Sequence, residues 1–272
     1  MKKNSLGNRI KNNYENRAKT YLTRRTPVMI RLDGRAFHTF TKGFVKPFDK
    51  RFMEAMQETT LELCRNIQGC VFGYVQSDEI TLVLVDYDTL DSSAWFDYSV
   101  QKVCSVSASM CTMLFNRIFT HKVMDFIKEH EHVVNEKETY GDVSDQVDEI
   151  IKAYKNALSL GAMFDSRCFN IPISEVTNAV LFRQEDASRN SINSLGQKYF
   201  KYKELHGKNT SQVQDMLMEK FQINWNNLSI PEKRGTAIVK DKDDKWFIDY
   251  EMPILKGEGR NYVENRIIFE DS

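Results

Sequence analysis

Two short acidic motifs carry the residue types that could do chemistry. Asp33-Gly34 follows directly on the apolar run Val28–Leu32, and Ser77-Asp78-Glu79-Ile80 separates two further strand-like runs, Val71–Gln76 and Thr81–Val85. The first run reads as a buried strand ending in a turn, and the other two read as a β-hairpin. If the first strand lies beside that hairpin, Asp33 and Asp78 become neighbours. Neighbouring carboxylates repel, and a divalent cation is the usual remedy. Two hard metal ions sharing such carboxylates are common machinery for phosphoryl or nucleotidyl transfer: one lowers the pKa of the attacking hydroxyl, the other neutralises the leaving pyrophosphate. Each motif alone is also an ordinary turn. Their neighbours suit phosphate, because Gly34 permits close backbone approach to an anion, and Arg35, His38, Lys42, Lys46 and the hydroxyl of Ser77 are anion partners. Neither a Gly-x-x-x-x-Gly-Lys-Ser/Thr loop nor a Gly-x-Gly-x-x-Gly turn is present.

The elements that must position these residues follow from periodicity. A polar helix is expected over Leu6–Leu22, closed by Pro27. Apolar spacing predicts helices over Asp49–Ile67, Trp95–Phe119 and Ser144–Leu160, the last stopped by Gly161. Glu129–Tyr140 reads as a solvated acidic connection, and Arg167–Ile173 as a strand. Helices are then expected over Ser174–Asn193 and Ser211–Phe221, followed by a hairpin of Gly235–Lys240 and Trp246–Tyr250. The order over the first 175 residues is β-α-β-β-α-(insert)-β, that of a ferredoxin-like α+β sandwich with two helices on one face of an antiparallel sheet. Two units are expected: a palm-like domain, 1–175, with a basic N-terminal helix and an acidic insert near 129–160, and a helical and β-hairpin extension, 176–272, packed on it.

Composition is that of an ordinary globular chain: 272 residues, 41% hydrophobic and 28% charged. This excludes collagen-like and wholly disordered readings. No stretch approaches the roughly 18 apolar residues of a membrane span, and the polar N-terminus lacks the apolar core of an export signal. Five cysteines, an odd number with no C-x-x-C pair, read as reduced thiols in a cytoplasmic protein. Net charge is zero, 38 basic against 38 acidic residues, but it is segregated. Met1–Arg35 holds ten basic and two acidic residues, whereas Glu129–Glu149 holds eight acidic residues and one lysine. The basic stretch, including Arg24 and Arg25, is expected to face RNA phosphates and the acidic one to lie away from them. Arg183, Arg189, Lys198, Lys201, Lys203, Lys233 and Arg234 are further backbone-tracking candidates, with Trp225, Tyr199 and Tyr202 as stacking candidates. The five histidines form no convincing metal set.

RLDGRAFHTFTKGFVKPFD (Arg31–Asp49), followed by YVQSDEITLVL (Tyr74–Leu84), resembles the tRNA-His guanylyltransferase superfamily. FDSR at Phe164–Arg167, FRQED at Phe182–Asp186 and KRGT at Lys233–Thr236 are weaker matches in the same order. The resemblance implies a polymerase-like palm, two Mg2+ ions, and 3′→5′ addition of nucleotides to the 5′ end of tRNA. It implies that Asp33, Asp78 and the carbonyl of Gly34 hold metal, with Glu79 a further catalytic candidate. It implies that Gly34, Arg35, Ala36, Phe37 and His38 hold a nucleoside triphosphate, that Lys46, Ser77 and Lys102 contact phosphates, and that Asp49 lies near the incoming base. Asn190 is the retained asparagine of a motif that eukaryotic members carry as His-Ile-Asn-Asn; here it is Ser188-Arg189-Asn190-Ser191. An arginine cluster of that branch is replaced by Asp97-Tyr98-Ser99.

These departures place the chain nearer the bacterial and archaeal Thg1-like branch. The implied activity is template-dependent repair of tRNA 5′ ends, with ATP or GTP activating a 5′-monophosphate. The alternatives are addition of a single guanylate to tRNA-His, a palm-type nucleotide cyclase, and a non-catalytic RNA-binding protein. The partners implied are tRNA, NTPs and further copies of the chain in a homotetramer; neither membrane nor DNA is expected.

Overall fold

The computed structural model describes residues 5–135 and 140–269. Strand β1 (Val28–Gly34) alternates as a buried strand should: Val28, Ile30 and Leu32 enter one core, Met29 another. It is flanked by β3 (Glu79–Leu84) and β4 (Phe164–Asn170), both antiparallel to it. Strand β2 (Cys70–Gln76) pairs with β3. Strand β5 (Thr236–Lys240) adds to the far side of β2, and β6 (Trp246–Asp249) adds to β5. The sheet order is β4-β1-β3-β2-β5-β6, so the ferredoxin-like α+β arrangement is present with a hairpin appended at one edge. The last two strands come from beyond residue 175 and share the one sheet.

The helices are α1 (Ser5–Ile10), α2 (Phe37–Phe40), α3 (Lys50–Asn66), α4 (Val100–Asn135), α5 (Asp142–Leu160), α6 (Ile173–Tyr199), α7 (Tyr202–Leu205), α8 (Thr210–Phe221), α9 (Ile230–Arg234) and α10 (Asn261–Glu264). Helices α3, α4 and α5 cover the face bearing Val28, Ile30 and Leu32. The opposite face is also covered: Val176 and Val180 of α6, with Met252, Leu255, Val263 and Ile267, pack on Met29, Phe72, Tyr74 and Val83. Among the described residues no helix is long and apolar enough to cross a membrane.

Three expectations are corrected. The hairpin turn has two residues, Ser77 and Asp78, not four, because Gln76 pairs directly with Glu79. Ser77 adopts φ 49°, the positive φ that two-residue hairpins need to match strand twist. The N-terminal helix stops early, its turns ending at Ala18; Leu22 N then donates to Tyr98 O at 3.1 Å and Val100 N to Thr20 O at 2.9 Å, an extended pairing. The segment from Glu129 to Asn135 is the end of α4 and not a connection, while residues 136–139 lie outside the described residues. Glu and Lys are good helix formers, and Phe126, Ile127 and Val133 give this end apolar anchors at helical spacing. At its other end α4 begins at Val100, after a left-handed turn at Phe96, Asp97 and Tyr98 (φ 50–53°).

Candidate active site

Asp33 lies one residue from the end of β1. Its cross-strand partners are Glu79 on β3 and Asp165 on β4, three acids in one row. Like charges directly opposite destabilise a sheet unless something compensates them. Glu79 is compensated by Arg183 Nε at 2.6 Å, and Asp165 by Arg167 Nη2 at 3.3 Å. Neither Asp33 nor Asp78 has an ion-pair partner among the described residues. Asp78 Oδ1 accepts from Ser77 Oγ at 3.1 Å, and its carbonyl accepts from Gly34 N at 3.1 Å, which ties the hairpin turn to the end of β1. Burial, and then the charge of Asp33, hold the Asp78 carboxyl above the usual carboxylate range. Burial also raises Glu79, and the arginines partly offset it.

The fit to a divalent cation can be judged from these donors. Among the described residues no group of three or more His, Cys, Asp or Glu side chains forms a ready-made cage. Magnesium seldom uses one; it binds through one or two carboxylates, water and substrate phosphates. Two adjacent, uncompensated carboxylates beside the Gly34 backbone match that mode, so Asp33, Asp78 and the Gly34 carbonyl are the residues that would hold it.

A cleft of about 520 Å³ opens at this point, with Gly34, Ser77 and Asp78 on one wall. The other wall is the loop Ala36–Asp49, including His38 and Lys46. The loop is fixed from below: Phe37, Phe40 and Phe44 insert among Phe52, Phe115, Phe119, Phe164 and Tyr154 with ring separations of 5.0–6.4 Å. Three of the four phenylalanines spaced along this motif, Phe37, Phe40 and Phe44, therefore serve anchorage, whereas Phe48 is half-buried and lines the neighbouring cavities. Gly34 is required by the same packing, since a Cβ there would lie 2.4–2.8 Å from the Phe37 ring. Ala36 adopts φ 55° as it enters α2. The amides of Ala36, Phe37 and His38 donate to no protein acceptor among the described residues, and all three residues line the cleft. Three free amides with His38 and Lys46 make a polyanion-binding wall opposite the carboxylates.

Other residues proposed from sequence are placed differently. Asp49 lines the cleft but is 5% exposed and already engaged: Oδ1 accepts from Phe52 N at 3.0 Å, and Oδ2 from Val45 N at 3.1 Å and Tyr154 Oη at 2.8 Å. Its role is to cap α3 and shape the loop. Arg35 turns to Met163 and does not line the cleft. Lys102 is not brought to it. It lies two residues before Cys104, whose sulfur is 3.6 Å from that of Cys168, opposite Ile30, whereas the cleft lies at the Gly34 end of β1. Its ammonium sits over Phe96.

Arg24 is locked to the fully buried Asp86 (Nε–Oδ2 2.5 Å) and to Asp97. Arg25 is exposed, and its amide donates to Asp86. Arg183 is occupied by Glu79. Lys233 and Arg234 bond the carbonyls of Asn226 and Met252, on a groove of about 590 Å³ that also contains Arg189 and Trp225. Trp225 is half-buried, its Nε1 donating to Ser191 Oγ at 2.9 Å and its ring lying under the Lys233 ammonium at 5.9 Å. Asn190 lines a cavity of about 140 Å³ that adjoins the cleft through Asp49, Phe52, Ser77 and Ser194.

Sequence reasoning missed Ser194, Asp165 and Tyr154. Ser194 is one helical turn beyond Asn190, so the α6 face was the available signal. A further cavity of about 680 Å³, between Phe48 and Tyr250, is lined by Glu54, Glu232 and Glu251 with Lys50 as its one basic lining residue, which suits no polyphosphate.

The family described as Thg1, tRNAHis guanylyltransferase, matches residues 7–172. A probable tRNA(His) guanylyltransferase of Dictyostelium discoideum is 26% identical over 226 residues, 78% of this chain and 75% of that protein. A bacterial tRNA(His) guanylyltransferase (Thg1)-like protein solved in complex with ATP superimposes with TM-score 0.79 at 38% identity, covering 97% of this chain and all of that one. A second structure of that description, in complex with GTP, gives TM-score 0.74 at 35% identity, also covering 97% of this chain. With a matching palm, two uncompensated carboxylates at its edge and a family match over most of the chain, the protein belongs to the tRNAHis guanylyltransferase family of nucleotidyltransferases.

Proposed function

We propose that this chain is a template-dependent 3′→5′ nucleotidyltransferase that repairs the 5′ end of tRNA. The observation that carries the reading is one cleft that joins Asp78 and Gly34 to the free amides of Ala36–His38, the His38 side chain and Lys46, with the second uncompensated carboxylate, Asp33, directly preceding Gly34 on β1. The ATP and GTP complexes of bacterial Thg1-like protein support a triphosphate in that cleft. Addition of one guanylate to tRNA-His, the activity named for the curated relatives, uses the same site.

Both steps are in-line displacements at phosphorus. An oxygen of the RNA 5′-monophosphate attacks the α-phosphorus of ATP or GTP, and the α–β bond breaks to release pyrophosphate. The 3′-hydroxyl of the incoming NTP then attacks the activated 5′ phosphorus, losing its proton to solvent and expelling the nucleoside monophosphate. A 5′-triphosphorylated RNA enters at the second step. Bound Mg2+ would supply charge neutralisation and a more acidic attacking hydroxyl. Asp33, Asp78 and Gly34 O would hold it, while the Ala36–His38 amides and Lys46 orient the triphosphate. Positioning and charge compensation account for the catalysis required of the protein.

The test is extension of 5′-truncated tRNA with Mg2+ and all four NTPs. Longer products whose added base follows the opposing 3′-strand base are expected. Guanylate added whatever that base is would replace repair by the single-guanylate reading, and no product even from 5′-triphosphate RNA would overturn both. Assembly as a homotetramer in the cytoplasm belongs to the same proposal, and light scattering measures the mass.

A further inference from the structure

Glu79 is the carboxylate the scheme above leaves unused. It follows Asp78, it is the direct cross-strand partner of Asp33, and it is only 7% exposed. Its place in the register sets a third carboxylate beside Asp33 and Asp78, although as held the three side chains form no cation cage among the described residues. Both of its oxygens are taken, however: Oε1 accepts from Arg183 Nε at 2.6 Å and Oε2 from Arg183 Nη2 at 2.7 Å. This two-pronged geometry fixes a carboxylate in direction as well as charge. Arg31 adds a more distant positive charge, Nη1 to Oε2 at 3.9 Å. The Arg183 side chain is 16% exposed, is shared with Asp186 at 3.3 Å and rests against the Phe182 ring, so it is a poor candidate for following an RNA backbone.

We propose that Arg183 is a positioning residue. It withholds Glu79 from divalent cation, so that Asp33 and Asp78 alone supply side-chain ligands and the remaining coordination sites stay open for substrate phosphate. It also pins α6 to the catalytic hairpin, which sets Asn190 and Ser194, two and three turns further along the same helix, as wall residues of the cleft and its adjoining cavity. The charge arithmetic gives the direction. With Arg183 neutralised, a third carboxylate is released beside two uncompensated ones. Cation binding then tightens while the sites that substrate needs are filled by protein. A simple loss of structure would weaken both binding and turnover.

The inference rests on the metal assignment to Asp33 and Asp78, and the experiment separates the two. Mn2+ binding to nucleotide-free protein is followed by electron paramagnetic resonance, together with kcat, KM and thermal unfolding, for wild type, R183Q, R183K, E79Q, the double variant E79Q/R183Q, and D78N. In R183Q the Mn2+ affinity is expected to rise roughly tenfold while kcat falls by at least as much, the scale of one charge released a few ångströms away near a surface. R183K, whose ammonium cannot bridge both oxygens, is expected to lie between, and it reports if R183Q fails to fold. E79Q alone weakens Mn2+ binding by leaving Arg183 unpaired. The double variant, a neutral pair that still hydrogen-bonds, returns both Mn2+ affinity and kcat toward wild type. Unchanged or weaker Mn2+ binding in the arginine variants, or a double variant no better than R183Q, overturns the proposal. Undiminished binding in D78N instead overturns the metal assignment itself.

Discussion

Tyr154 donates its hydroxyl to Asp49 at 2.8 Å across 105 residues of sequence. The same carboxylate caps α3 through Phe52 N and holds the loop through Val45 N. Burial, and then the Asp49 charge, raise the Tyr154 phenol well above its ordinary range, so it stays a proton donor. Three segments meet at one buried carboxylate: the nucleotide-side loop, the first helix of the palm and the helix that follows the acidic segment.

Y154F tests this junction. Losing a hydrogen bond to a charged acceptor is expected to lower stability by about 1.5–3 kcal/mol. KM for NTP should rise several-fold with kcat nearly unchanged, because the loop loses its tie and the reacting carboxylates are untouched. D49N, which keeps the capping oxygen, should behave similarly, whereas D49A also loses the cap at a further cost of about 1 kcal/mol. Thermal unfolding and initial-rate kinetics check both; unchanged KM with reduced stability would show that the junction supports the fold alone.

G34A places a methyl group 2.4 Å from the Phe37 ring, and that ring is buried among four other aromatic rings. The loop must move or the core must open. Overpacking of this kind costs about 1–3 kcal/mol, and displaced amides lose the triphosphate. Nucleotide binding followed by calorimetry should fall by at least tenfold, an effect worth about 1.4 kcal/mol. Partial recovery in G34A/F37L would identify the ring as the cause.

Much of the palm was legible because its cause is local. Short apolar runs at Val28–Leu32 and Thr81–Val85 and 3.6-residue spacing in α3 settle the element order, and that order brings Asp33 to the hairpin. Partnerships between distant side chains left no trace in periodicity. Arg183 meets Glu79 across 104 residues and Arg24 meets Asp86 across 62, so both arginines read as free surface charge. Lys102 failed for a related reason: helix position was readable, but the end of the sheet it lies against depends on which way α4 crosses. The acidic segment misled because charge density was read as solvation, when Phe126, Ile127 and Val133 were the anchors that mattered.

The acidity of Asp78 makes a signed pH prediction. Burial and Asp33 raise its folded-state pKa above the unfolded value. Between the two values the metal-free fold binds more protons than the unfolded chain, so stability rises as pH falls through that window and is lowest above it. D78N removes the penalty. Metal-free D78N should therefore be more stable than wild type at about pH 8, and the difference should vanish by about pH 3, below the ordinary aspartate pKa, where Asp78 is mostly protonated in both states. Mg2+ binds the ionised carboxyl, so its stabilisation of the wild type should weaken across the same window. Denaturant titrations with and without Mg2+ measure it; a difference independent of pH would remove Asp78 as the cause.

Arg24 and Arg25 are adjacent in sequence and opposite in environment, and this divides the basic N-terminal segment into two testable parts. Asp86 is fully buried; its Oδ2 takes Arg24 Nε at 2.5 Å and its Oδ1 takes the Arg25 amide at 2.8 Å. Removing the Arg24 side chain strands a buried carboxylate, so R24A should lower Tm, and D86N/R24A should recover part of the loss. The Arg25 side chain projects from a residue at φ 57°, exposed and without an ion-pair partner among the described residues. R25A should leave Tm unchanged, weaken tRNA binding, and reduce the slope of log affinity against log salt by about 1, as loss of one phosphate contact does. If R24A and R25A change the salt slope equally at equal Tm, the ion pair with Asp86 does not hold Arg24 away from RNA.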